Sequence, residues 1–230
     1  MKKYSLLLLS GGVGSRTALD YPKQFHKIKG HPMLVYSLIA ARKVREIDEF
    51  VINYPEGCED ITREIIGSYF PDMAIKFVPC GETRHESTKL LLEAAKNFDV
   101  IVHEAARPII GAAGFRNLIK HEASNVAYCL PIPFSMCEVD PDSMEMVRRV
   151  DRSTTMNIQL PQKFSKRELT HAHEKATEMD VVFTEDAMLV REVGNVPVKF
   201  MLGWEKNIKV TTREDFVFAE SFLKETYDND

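Results

Sequence analysis

At 230 residues, 44% hydrophobic and 28% charged, the chain is long enough to bury a substantial core, as one α/β domain or as two small ones. A formal net charge of −4 argues against a nucleic-acid partner, which usually needs a basic surface, yet leaves room for an anionic small substrate in a locally basic pocket. The cysteines Cys58, Cys80, Cys129 and Cys137 form no Cys-x-x-Cys pair, a pattern of reduced thiols rather than of a disulfide framework.

The apolar run that opens the chain ends at Ser10-Gly11-Gly12, short of the roughly 7–15 residues of a signal-peptide core. No apolar stretch approaches the roughly 20 residues of a bilayer span. A soluble, cytoplasmic chain with no membrane partner is therefore expected. Tyr4–Leu9 has the pattern of a central strand, 32–44 of a long helix, 49–54 of a second strand and Glu59–Tyr69 of a second helix. A third strand follows at 75–78, a glycine turn at Gly81 and a helix over 87–95. The segment 100–103 is a strand running into Glu104-Ala105-Ala106-Arg107-Pro108, with a helix at 115–122 and a strand at 126–132.

The alternation then changes. Segments 136–139 and 144–150 are strand-like and flank Asp140-Pro141-Asp142-Ser143, a good turn sequence. With no helix between them they predict a projecting hairpin at about 134–151. Helices are expected at Lys166–Glu178 and 185–193, a strand at 198–202 and a closing helix over 213–224. Strands alternating with helices predict a mostly parallel α/β sheet covered by helices. With no repeat or linker in view, one domain over residues 1–230 is the simplest organisation.

In such sheets ligands bind at the carboxyl ends of the strands, which draws the eye to Ser10-Gly11-Gly12-Val13-Gly14-Ser15-Arg16. Glycines let backbone N–H groups approach phosphate oxygens. A phosphate-binding P-loop would end in Gly-Lys-Ser/Thr, and a dinucleotide fingerprint would place a third glycine at Thr17 and an acid near Asn53; both fail. A tight structural turn remains the plain alternative for the glycines alone. Arg16 and Lys23, the latter behind Pro22, add two cations where a triphosphate would lie.

With these residues the sequence resembles the 2-C-methyl-D-erythritol 4-phosphate cytidylyltransferase family and its relatives, the ribitol 5-phosphate cytidylyltransferases. The resemblance runs in order through the first glycine loop, Pro22-Lys23-Gln24, Gly81-Glu82-Thr83-Arg84-His85-Glu86-Ser87 and His103-Glu104-Ala105-Ala106-Arg107-Pro108. Pro161-Gln162-Lys163-Phe164, Thr184-Glu185-Asp186-Ala187 and the Gly203 to Asp215 segment complete it. It implies a modified Rossmann-like fold with a dimerising β-arm, and a homodimer. By position it implies Arg16, Lys23 and Lys209 as the catalytic cations. Ser10, Gly11, Gly12, Gly14, Gly81, Glu82, Ser87 and Ala105 match the CTP pocket. Glu104, Arg107, Ser135, Arg152, Thr184 and Lys209 match the surroundings of the acceptor phosphate, with Ser135 and Arg152 reaching a neighbouring subunit's site. Mg²⁺ is implied on the CTP phosphates, with Glu104 nearby.

The implied reaction joins CMP to a small polyol phosphate and expels pyrophosphate. A phosphate monoester, with its second pKa about 6, is already a nucleophile, so the chemistry calls for positioning and charge stabilisation rather than a general base. Several residues depart from the isoprenoid-pathway pattern: Ser10-Gly11 for Ala-Ala, Cys80 for the first glycine of a pair, Glu104 for Asp, and Leu160 for Thr. They leave the acceptor open between methylerythritol phosphate, ribitol phosphate and another pentitol or sugar phosphate. Two other functions stand beside this one: a nucleotidyltransferase using another NTP such as UTP, and a catalytically silent nucleotide-binding subunit.

Plainer roles are expected elsewhere. His103 suits a buried strand end, and His171 and His173, at spacing two on a helix, suit the surface. Trp204 suits packing, Arg148 and Arg149 a solvated edge, and Arg107 equally a structural tie or an acceptor contact.

Overall fold

The structure, a computed structural model, describes residues 2–12, 17 and 19–227. Strand β1 (Tyr4–Leu9) lies inside a seven-stranded sheet ordered β11-β7-β10-β6-β1-β4-β5. The other strands are β4 (Ile47–Tyr54), β5 (Ile75–Pro79), β6 (Asp99–Glu104), β7 (Val126–Pro131), β10 (Met156–Ser165) and β11 (Lys199–Leu202). All pairings are parallel except those of β10, which runs antiparallel between β6 and β7.

Successive strand residues point to opposite faces, and β1 uses this to fill two cores. Leu6 and Leu8 pack with Leu34, Phe50, Ile52 and Phe115 on one face. Leu7 packs with Val51, Leu91, Val102, Phe164 and Leu169 on the other. These three leucines are fully buried, each worth about 2 kcal/mol of apolar burial. The covering helices are α1 (Met33–Arg42), α2 (Glu59–Tyr69), α3 (Arg84–Ala94), α4 (Ala112–Lys120), α5 (Lys166–Glu178), α6 (Asp186–Glu192) and α7 (Arg213–Tyr227). A third core joins α7 to a small hairpin, β2 (Lys27–Ile28) and β3 (His31–Pro32), through Ile28, Met33, Val210 and Phe216.

The chain passes from β1 to β4 and β5 on one side, then returns to β6 on the other. The carboxyl ends of β1 and β6 therefore part at a topological switch point, where open sheets form their ligand crevice. The predicted arm is present as β8 (Cys137–Val139) paired antiparallel with β9 (Met146–Arg149).

Three expectations are corrected. Helix α3 starts at Arg84 rather than 87, because the Thr83 side chain accepts the Glu86 N–H at 3.1 Å and caps it. Strand β10 was not foreseen. His173 is 1% exposed against His85, and only His171 faces outward.

Candidate active site

The carboxyl ends of β1, β4, β5 and β6 and the 209–211 segment enclose a cleft of about 500 Å³. The cleft brings together Ser10, Gly11, Gly12, Lys23, Gly81, Glu82, Ser87, Glu104, Ala105 and Lys209. Lys23 and Lys209 thus share one crevice although they stand near opposite ends of the chain.

Glycine is needed in two places by contact. A Cβ on Gly11 would sit 2.3 Å from the Cys80 Cβ, and one on Gly81 would sit 2.5 Å from Glu86. The turn into α3 is fixed by its own side chains: the Gly81 N–H donates to the Ser87 Oγ at 3.0 Å and the Glu82 N–H to the Glu86 Oε2 at 2.8 Å.

The cations are tied to the opposite wall. Lys23 donates to the Val210 carbonyl at 2.7 Å, and the Val210 N–H donates to the Ala106 carbonyl at 2.8 Å. Lys209 pairs with Glu104 at 2.6 Å, and Arg107 with the same carboxylate at 2.7 Å. Burial would raise the Glu104 pKa, but the Arg107 and Lys209 charges outweigh it and hold the group down at about 2. Glu104 is therefore an ionised, acceptor-only carboxylate at the cleft. Arg107 is buried and also donates to the Asn207 carbonyl at 2.7 Å.

Other expected residues lie apart. Gly14 and Arg16 fall outside the described residues. Ser135 and Arg152 are exposed on the arm or at its base, where Arg152 donates to the Pro133 carbonyl at 3.1 Å. Thr184 is exposed just before α6. None of these three lines the cleft.

Cleft residues outside the expected set also carry polar groups. Arg84 pairs with Asp186 at 2.8 Å, and its Nη1 has no partner among the described residues. Gln24, next to Lys23, and Asn53 also line the cleft. The available signal for Asn53 is a polar residue directly after the apolar run Phe50-Val51-Ile52, at the carboxyl end of a strand.

Among the described residues no three His, Cys, Asp or Glu side chains converge on a metal position, and Glu104 is already shared by two cations. The residues fit a Mg²⁺ carried in on a nucleotide's phosphate oxygens, its usual mode of binding, better than one caged by protein.

A cleft floored by Ser10, Gly11 and Gly12 and walled by Lys23 and Lys209, at the switch point of a mostly parallel sheet, suits a nucleotide's phosphates, and the family match makes the class plain: the protein is a nucleotidyltransferase. The model of the 2-C-methyl-D-erythritol 4-phosphate cytidylyltransferase family (IspD) matches residues 5–225, and the chain belongs to that family. The enzyme of that name from Desulforamulus reducens is 31% identical over 94% of this chain and 93% of its own. That from Alkaliphilus metalliredigens is 30% identical over 99% and 96%. The solved 4-diphosphocytidyl-2C-methyl-D-erythritol synthase of Anaerococcus prevotii superposes with a TM-score of 0.83 at 28% identity, over 97% of this chain and 96% of its own. The Thermus thermophilus enzyme follows with a TM-score of 0.78 at 27% identity, over 97% and 100%. Among the described residues no helix is long and apolar enough to cross a membrane.

Proposed function

We propose that the protein transfers the cytidylyl group of CTP to 2-C-methyl-D-erythritol 4-phosphate and releases pyrophosphate, as one nucleotidyltransferase domain working in a homodimer. The observation that carries this is the convergence of Lys23, Lys209 and the Ser10–Gly12 loop on a single cleft. The acceptor's phosphate oxygen attacks the α-phosphorus. A new P–O bond forms as the bond to the β-phosphate's bridging oxygen breaks.

The backbone at Ser10–Gly12 holds the triphosphate, and the family resemblance adds Arg16 as a cation for it. Lys23 supplies a compact charge that follows the α-phosphate as its geometry changes. Gly81, Glu82, Ser87 and Ala105 receive the nucleoside. Glu104, kept ionised by Arg107 and Lys209, accepts hydrogen bonds from acceptor hydroxyls, and Lys209 meets the acceptor phosphate. Thr184, with Ser135 and Arg152 from a neighbouring arm, completes the acceptor side. A Mg²⁺ carried on the CTP phosphates, with Glu104 nearby, would supply charge neutralisation between the two anions.

The test is pyrophosphate release with Mg²⁺ across CTP, UTP and GTP, and across methylerythritol, ribitol and other polyol phosphates. Turnover with CTP and methylerythritol phosphate alone is expected. Preference for UTP or for ribitol phosphate would replace the substrate assignment, and tight CTP binding without any turnover would make this a silent homologue. Within the same assay Lys23→Ala should lower kcat by about 10²–10³, the usual loss for one such donor, with CTP affinity falling less. Near-normal turnover would reject the role given to Lys23.

A further inference from the structure

The first peptide of the glycine loop is gripped from both sides. The Ser10 N–H donates to the Asn53 Oδ1 at 2.5 Å, and the Gln24 Nε2 donates to the Ser10 carbonyl at 2.5 Å. Backbone chemistry fixes both amide orientations, since an N–H needs an oxygen and a carbonyl needs an N–H. Asn53 is 0% and Gln24 3% exposed, so neither is a chance surface contact.

The position of the grip matters. The sheet ladder of β1 ends where the Leu9 carbonyl accepts the Ala105 N–H at 2.9 Å. Ser10 is the next residue, and Gly11 and Gly12 follow it into the cleft. Glycines carry the largest backbone freedom of any residue. Left ungripped, the loop would be ordered only by its ligand, and that entropy cost would weaken binding.

We propose that Asn53 and Gln24 are positioning residues that pre-set the Ser10–Gly12 backbone for the nucleotide's phosphates. This rests on the cytidylyltransferase reading only for the identity of the nucleotide. Gln24 follows Lys23 directly in the turn at Lys23–Phe25. The one turn therefore fixes the loop through Ser10 and the far wall through Val210.

Asn53→Leu and Gln24→Met keep the bulk and remove the hydrogen bonds. The expected result is a CTP KM raised about ten- to a hundredfold, with kcat and the acceptor KM within about threefold of the parent. A residue needed only for folding would instead lower the active fraction and leave KM alone. Gln24→Glu adds a sharper readout. Protonated at low pH it still donates to the Ser10 carbonyl; ionised, it sets oxygen against oxygen. Its CTP KM should climb with pH in a way that neither the parent nor Gln24→Met shows.

Amide hydrogen exchange at residues 10–12 of the free protein separates the two layers of the argument. Faster exchange in Asn53→Leu and Gln24→Met supports the grip whatever nucleotide the protein uses. Unchanged exchange overturns it. Faster exchange with an unaltered CTP KM overturns its use in binding. If Asn53→Leu does not fold, the two Gln24 variants still decide.

Discussion

At the residue scale, two departures from the isoprenoid-pathway pattern turn out to touch each other. The family resemblance leads one to expect alanine at the position of Gly11 and glycine at that of Cys80; here the side chain stands on the other side of the contact. A Cβ on Gly11 would lie 2.3 Å from the Cys80 Cβ and 3.3 Å from its Sγ. A Cβ is fixed to the backbone, so no rotamer relieves the overlap, and one strand end or the loop would have to shift. Gly11→Ala alone should therefore cost about 1–3 kcal/mol as an overpacking substitution and raise the CTP KM. Adding Cys80→Gly should recover most of both losses. A double-mutant cycle on melting and on KM measures this, and simple additivity would disprove the exchange. The sequence displayed both departures but not their contact, because the spacing of residues 11 and 80 says nothing of how the β1 and β5 ends approach. Lys23, Lys209 and the glycines were legible since motif order carries them. Asn53 and Gln24 were not, since their work is done on a backbone that no sequence pattern represents.

At the element scale, β1, β6 and most of β4 and β7 are buried on both faces and read as apolar runs with no competing pattern. The edge strands β5 and β11 are legible from short apolar runs although partly or largely exposed. Strand β10 is as central as β6 yet was missed, and its residues explain why. Gln159, Gln162 and Lys163 are buried and hydrogen-bonded internally: Gln162 to Glu185, and Lys163 to the His121 carbonyl at 2.6 Å. Pro161, which has no N–H for the ladder, lies where the register with β7 shifts between Gln159 and Gln162. Polar residues and a proline in mid-strand erase the period-two signal. The arm was legible for the opposite reason: a strong turn between two short apolar segments. Phe134 is 73%, Met144 72% and Met146 64% exposed, too much apolar surface for an isolated two-stranded hairpin, which is marginal alone. A second copy of the chain is the proposed cover. Phe134→Asp with Met146→Lys should turn a dimer into a monomer in sedimentation. CTP binding should survive, because the nucleotide half of the cleft lies within one chain. The acceptor KM should rise steeply, because Ser135 and Arg152 would then reach no site. A variant that stays dimeric, or a monomer with an unchanged acceptor KM, would refute the arm's role.

At the scale of the whole molecule, placing a charged crevice on a doubly covered sheet leaves titratable groups in the cores behind it. His103 lies one residue before the end of β6 with its ring edge on Phe115 at 5.5 Å, and burial pushes its pKa down to about 3. His173 lies behind α3 beside His85, and burial lowers it to about 4 although Asp186 opposes the shift. Both are neutral when folded, while an unfolded histidine titrates near 6.5. Above about pH 6.5 neither state takes the proton and stability is unaffected. Below it the unfolded chain gains protons that the folded chain refuses, so stability falls with pH until about 4 for His173 and about 3 for His103. Each histidine contributes about 1.4 kcal/mol per pH unit inside its window. Glu104, held down at about 2 against an ordinary value of 4.5, adds its own loss as the pH falls from about 4.5 to about 2. Acid destabilisation should therefore begin near pH 6, well before the carboxylates titrate. Urea midpoints at pH 7.5, 6 and 5 measure it, with His173→Asn expected to show a shallower slope than the parent, the remainder coming from His103 and from His85, whose pKa burial also lowers. A parent midpoint that stays flat from pH 7 to 5 would mean that the cores admit the charge, and that the burial behind the crevice is not what excludes it.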